Sequence, residues 1–307
     1  MSQVSGFWSW GDWLREQAVA IGREPLFLNL DETAVSQSSP EAIGMVVRKR
    51  WWPAKKRPVQ RVPKSKRRGM VTHVGLVTHN STVQGRLPQI FIGNKRCFTP
   101  EMMNAAVRSA PAKVKFWRKK SSWVNTEIML DILREIALTM AEFPELQPIL
   151  VMDCAPIHLA RQVLDRAAVL GIWILPVPAR CTFLLQPCDT HVVSPYKAFL
   201  RRLYRECKTD EGVVTPEAWL HNLVDAATKF MCGRTWRHAF EQTGLLGDRS
   251  HLTRDLAAVE PELHLAQQPV RAPMLHTVRQ MLPQARRVPY NQLLSEPLGR
   301  SVRIRLY

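Results

Sequence analysis

An α/β fold, with a mixed five-stranded sheet, helices on both faces and further helices after it, is predicted by three features of the sequence. Short apolar runs bounded by turn residues fill the first hundred positions. Helix-period and strand-like segments then alternate from Asn125 to Pro176. The 307 residues are 46% hydrophobic, which is enough for a sizeable core.

Residues 1–24 are Trp-rich and read as a lead-in, helical or irregular. Leu26 to Asp31 reads as the first strand, Met70 to His79 as the second and Leu87 to Ile92 as the third, with Asn80, Ser81, Gly85, Gly93 and Asn94 as turn residues. Met129, Ile132, Leu133, Ile136 and Met140 then recur at helical spacing, behind Asn125 or Thr126 as a cap. Strand four is Ile149 to Asp153, followed by a helix from about His158 to Leu170 and strand five at Ile172 to Leu175. Strand, helix and strand with short connections imply a right-handed parallel crossover. A three-strand meander followed by this crossover is the layout of a ribonuclease-H-like core. Residues 25–207 form that core, with 36–69 as a basic loop insertion. Residues 208–247 are a C-terminal helical extension, with helices at Pro216 onward and Trp236 to Gln242. Residues 248–307 are a Pro/Arg-rich tail.

The net charge of +17 argues for a polyanionic partner. Eleven bases and no acid lie between Arg48 and Arg68, leaving 32 of the 43 bases against all 26 acids elsewhere. Arg48, Lys49, Arg50, Lys55, Lys56, Arg57, Lys64, Lys66, Arg67 and Arg68 suit phosphate neutralisation, and Trp51 or Trp52 suits stacking on a base. A nuclear localisation signal and a solvated loop are competing readings of the same run. Lys197, Arg201 and Arg205 fall on one helix face and read either as a DNA grip, with Arg202 beside them, or as a solvent face. No run reaches the roughly 18 to 20 apolar residues of a membrane helix. The N-terminus lacks the order of a signal peptide, so an intracellular protein without a membrane partner is expected. Six scattered cysteines without a Cys-x-x-Cys pair predict reduced thiols.

Asp31 and Asp153 end apolar strands, and Asp189 precedes the segment Ser194-Pro-Tyr-Lys-Ala-Phe-Leu-Arg-Arg. Open α/β sheets place their sites at such strand ends. Taken singly, each aspartate also reads as a turn or cap residue. Together they suit a pair of Mg²⁺ or Mn²⁺ ions, which want hard oxygen ligands and stabilise charge on both the attacking and the leaving oxygen of a phosphodiester. Glu32 is a weaker spare ligand, because alternation points it to the opposite face from Asp31. His158 is either a supporting donor near the site or a polar residue at a helix start. Glu127 and Asp131 are explained by a helix N-terminus.

The segments Leu30-Asp-Glu-Thr33, Ile149-Leu-Val-Met-Asp-Cys-Ala-Pro-Ile-His158, Leu175-Pro-Val-Pro178, Leu184-Leu-Gln-Pro-Cys-Asp189 and Tyr196-Lys-Ala-Phe199 resemble the DDE-type endonuclease domain of pogo and Tigger transposases. Centromere protein B and Jerky-type proteins carry domesticated relatives of that domain. The resemblance runs from about residue 26 to 245, where Thr235 to Gly244 looks like the family's closing helix. It implies a ribonuclease-H-like fold, a catalytic triad of Asp31, Asp153 and Asp189 binding two Mg²⁺ or Mn²⁺ ions, DNA strand cleavage and transfer, and action in the nucleus. A homodimer fits the family, and a separate DNA-recognition protein would replace its upstream helix-turn-helix modules. The chain departs from the family pattern at Cys154 for Asn, Cys188 for Leu, His191 for Gly, and across Pro178-Ala-Arg-Cys-Thr182. These changes spare the ligands and alter their neighbours, so a domesticated, inactive DNA-binding protein of the same fold is the alternative.

Overall fold

A computed structural model of the protein describes residues 3–36, 70–207, 214–247 and 249–259. In chain order they form α1 (Gln3–Ala20), β1 (Glu24–Ser36), β2 (Met70–Thr78), α2 (Ser81–Gln84), β3 (Gln89–Gly93), α3 (Pro100–Ser109), β4 (Val114–Arg118), α4 (Thr126–Met140) and β5 (Leu146–Asp153). There follow α5 (Arg161–Val169), β6 (Trp173–Val177), α6 (Thr182–Leu185), α7 (Val193–Glu206), α8 (Pro216–Asp225), α9 (Arg237–Gln242) and α10 (Arg254–Val259).

The sheet order is β4-β3-β2-β1-β5-β6. β1, β2 and β3 form the antiparallel meander, and β5 and β6 add in parallel beside β1. This is a ribonuclease-H-like core. The segment pattern predicts five strands, whereas the sheet holds six: β4 pairs in parallel with β3 at the edge. Its sequence, Val-Lys-Phe-Trp-Arg, is short and interrupted by two bases, which hid it among loop residues.

Strand alternation divides the core in two. Phe27, Val77, Ile149, Val151, Trp173 and Leu175 face one layer, which contains α1, α7 and α8. Leu28, Leu30, Leu76, Leu150, Met152 and Ile174 face the other, which contains α4 and α5. The Trp-rich start joins the first layer, with Phe7, Trp8, Leu14 and Ala18 buried. α4 begins as its sequence predicts, with the Asn125 side chain accepting from the Ile128 amide. α5 starts three residues later than predicted, which leaves His158 in the turn that joins it to β5.

One register detail positions the site. β1 pairs with β2 all the way to Ser36, but its ladder with β5 stops at Asn29↔Val151. Asp31 therefore lies inside β1, two residues past the end of its ladder with β5, while Asp153 is the last residue of β5.

Candidate active site: an acidic sheet edge

Asn29 builds the junction. It is fully buried and lies on the same strand face as Asp31. Its amide donates to the Val151 carbonyl at 2.9 Å and its Oδ1 accepts from the Cys188 backbone N–H at 2.7 Å. One side chain thus ties β1 to β5 and to the segment that carries Asp189. Gln186 reinforces the contact by donating to the Leu30 carbonyl at 3.4 Å. The sequence signal for Asn29 is a polar residue inside the apolar run Leu26 to Leu30, which the spacing of the aspartates does not report.

Asp189 sits in a π-helical turn, Cys188–Val192, that runs directly into α7. Such widened turns recur at functional sites. They also shift the register of the following helix, so the placement of Asp189 could not be read from helical periodicity. Asp189 is exposed, while Cys188 beside it is buried. His191 in the same turn hydrogen-bonds Gln242 of α9 at 2.6 Å.

The acids share one electrostatic field. Burial first, then the charges of Asp189 and Glu32 and lastly Asp153, push the Asp31 carboxyl up to about 8. Burial, followed by the fields of Asp31, Asp189 and Glu32, likewise lifts the Cys188 thiol well above its ordinary value and keeps it protonated. Beside Asp31 lies a cavity with room for about one water, lined in part by His73, Cys188, Tyr196 and Met231. Gly75 faces Asp31 across the β1–β2 pair, and a Cβ there would press on Met231 at 3.1 Å.

His158 is 2% exposed and bridges two acids. Its Nδ1–H donates to Asp153 Oδ1 at 2.6 Å and its Nε2–H to Glu32 Oε1 at 2.9 Å. Burial alone depresses the imidazole, but the bonds to Asp153 and Glu32 outweigh it and raise the ring to about 10, so it is an imidazolium at neutral pH. The His158 bond, aided by the Ala155 amide and opposed by burial, holds the Asp153 carboxyl below the usual carboxylate range. Glu32 does alternate to the face opposite Asp31. Because β1 outruns β5, however, it meets the turn after β5 and so joins the acidic edge.

These oxygens are hard donors of the kind that Mg²⁺ and Mn²⁺ prefer, and the unfavourable field around Asp31 is what a cation would relieve. Among the described residues, no group of three or more His, Cys, Asp or Glu side chains is arranged to hold a metal ion. Asp31, Asp153 and Asp189 thus share a sheet edge and a field without forming a closed ligand set, and Asp153 Oδ1 is already bound to His158. The donor chemistry fits a divalent ion.

α7 buries Tyr196, Leu200 and Tyr204, and Lys197, Arg201 and Arg205, each one residue further on, form an exposed stripe about 100° round the helix. Arg202 pairs with Glu206 at 3.6 Å and lies over the Phe199 ring. The candidate DNA contacts Arg48, Lys49, Arg50, Lys55, Lys56, Arg57, Lys64, Lys66, Arg67 and Arg68 lie outside the described residues. The larger surface hollow is elsewhere, between α3 and α8, lined by Arg108, Cys207, Glu217 and His221. No described helix is long and apolar enough to cross a membrane.

Comparison with solved structures finds likeness to the Mos1 transposase paired-end complex with left transposon end, at 15% identity and a TM-score of 0.37, covering 79% of this chain and 62% of that one. The crystal structure of the catalytic domain of Mos1 mariner transposase is similar at 15% identity and a TM-score of 0.36, covering 75% and 93%. The chain therefore spans about 62% of the length of the transposase in the first of these. No curated protein matches. Residues 73–240, more than half of the chain, match the family model described as DDE superfamily endonuclease, and the chain belongs to that family.

Proposed function

We propose that the acidic edge cuts DNA and transfers its strands, with Asp31, Asp153 and Asp189 holding two Mg²⁺ or Mn²⁺ ions. The observation that carries this reading is the acidic edge itself: the β1–β5 register runs on to bring Asp31 level with Asp153, and the partly buried Asp31 carboxyl lies in the fields of Asp189, Glu32 and Asp153, an arrangement that a cation would relieve. Bound divalent ions would activate water or a 3′-hydroxyl and stabilise the charge that develops on the phosphodiester. The protein's own residues fix the geometry. Asn29 holds the Asp189 segment against β1, and His158 holds Asp153. The exposed bases Lys197, Arg201 and Arg205 on α7 grip the phosphate backbone, with the run from Arg48 to Arg68 as a second contact. That basic run also reads as a nuclear localisation signal, which supports the nucleus as the compartment for this activity.

Titration with Mn²⁺ while melting is followed tests the site. Wild type should gain melting temperature and Asp31→Ala should not. An equal response would place the metal elsewhere, and no response would remove the reading. One observation favours the inactive DNA-binding alternative: among the described residues, Asp31, Asp153 and Asp189 do not form a closed ligand set. That alternative gives salt-sensitive DNA binding with no Mn²⁺ response.

A further inference from the structure

The β1–β5 ladder ends two residues short of Asp31 and Asp153, so no backbone pairing fixes one aspartate against the other. Beyond that point the strands are joined by side chains. Glu32, on the overhanging half of β1, accepts from His158 Nε2–H, and His158 Nδ1–H donates to Asp153. Asp153 Oδ1 also accepts from the Ala155 amide at 2.9 Å, and the His158 amide donates back to the Ala155 carbonyl at 2.9 Å. Oδ1 is thereby committed twice, and among the described residues no bond to Oδ2 accompanies these. The imidazole is shut off from solvent, whereas the Asp153 side chain is 37% exposed, so the bridge is anchored at its centre and open at the end facing the site.

We infer that Glu32, acting through His158, is a positioning residue for Asp153: the bridge tethers the turn after β5 to β1, commits Oδ1, and leaves Oδ2 as the oxygen offered to a divalent cation. This rests on the reading of Asp153 as a metal ligand. Groups that orient a ligand by hydrogen bonding tune affinity without touching the ion, and their loss typically weakens binding about 10- to 100-fold; Glu32 acts one step further out, by fixing His158. A brace with a purely structural role would lower stability and leave the affinity of the site alone.

The test compares wild type, Glu32→Ala and Glu32→Gln, each titrated with Mn²⁺ alone and followed by melting temperature. Glu32→Ala should need about tenfold more Mn²⁺ or above for a half-maximal shift. Glu32→Gln keeps an acceptor for Nε2–H and should stay within about threefold of wild type. Glu32→Ala titrating like wild type would overturn the inference and leave the metal reading standing. A wild type with no Mn²⁺ shift would overturn the metal reading and the inference with it, so the two failures are distinct. Should Glu32→Ala lack a cooperative transition, Glu32→Asp, one methylene short of His158, carries the same expectation and the same refutation.

Discussion

Replacing Asn29 by leucine tests the junction on which the site depends. The two side chains share a branch at Cγ and leucine is the larger, so the substitution removes polar contacts without opening a cavity. It strips the Val151 carbonyl of a donor at 2.9 Å and the Cys188 amide of its acceptor at 2.7 Å, in surroundings where Asn29 and Val151 are fully buried and Cys188 is 1% exposed. A buried polar group left without its partner costs about 1 to 3 kcal/mol. Two of them, offset by the added apolar contact of leucine, should lower unfolding stability by about 2 to 4 kcal/mol. Urea denaturation in the presence of chelator measures this, with an unchanged m-value required for the comparison. The same variant should lose most of the Mn²⁺-induced rise in melting temperature, because the Cys188 amide holds the segment that carries Asp189. A stability loss below about 0.5 kcal/mol with a normal Mn²⁺ response would show that Asn29 does not join these elements.

Asp31→Asn removes a carboxyl that burial and neighbouring acids make unfavourable. In chelator at pH 8 it should stabilise the fold by roughly 2 to 4 kcal/mol, after discounting the about 1.4 kcal/mol per pKa unit for partial exposure; a loss of stability in the same urea experiment would contradict the proposed field. His73 is held down to about 3 by burial, and His79 to about 4 by burial and then Arg237. Both unfold to a value near 6.5, so their contribution is complete above that pH and is lost as pH falls. Asp31, raised to about 8, opposes them with one proton, so these groups together should lower stability by about 1.4 kcal/mol per unit between pH 6 and 4.5, and by about twice that in Asp31→Asn. Urea midpoints that do not steepen in the variant would refute this balance. Replacing Lys197, Arg201 and Arg205 by Gln should make the log–log salt dependence of DNA binding shallower by about 2 to 3, and an unchanged slope would remove α7 from the interface.

Much of the fold was legible because alternation is a local signal. Phe27, Asn29 and Asp31 share a face by parity alone, and the capped helix at Thr126 follows from Asn125 and its apolar spacing. What escaped depends on lengths and on tertiary contacts. β4 is five residues with little apolar alternation, so only its pairing with β3 reveals it. Glu32 reads as pointing away from Asp31, which is correct for its face; its role depends on β1 outlasting β5, and no local pattern reports where a neighbouring strand stops. Asp189 is positioned by a π-helical turn and by the Asn29 side chain, 160 residues earlier in the chain, and neither is written in the spacing between the aspartates.

The central claim is that this edge cuts DNA with divalent metal. Nicking of supercoiled plasmid tests it most directly, with wild type and Asp153→Asn compared in Mg²⁺, in Mn²⁺ and in chelator, and with equal far-ultraviolet circular dichroism confirming that both fold. Metal-dependent nicking by the wild type, lost in Asp153→Asn and in chelator, is the predicted result. Nicking that survives the substitution, or a wild type that cuts with neither metal, would contradict it.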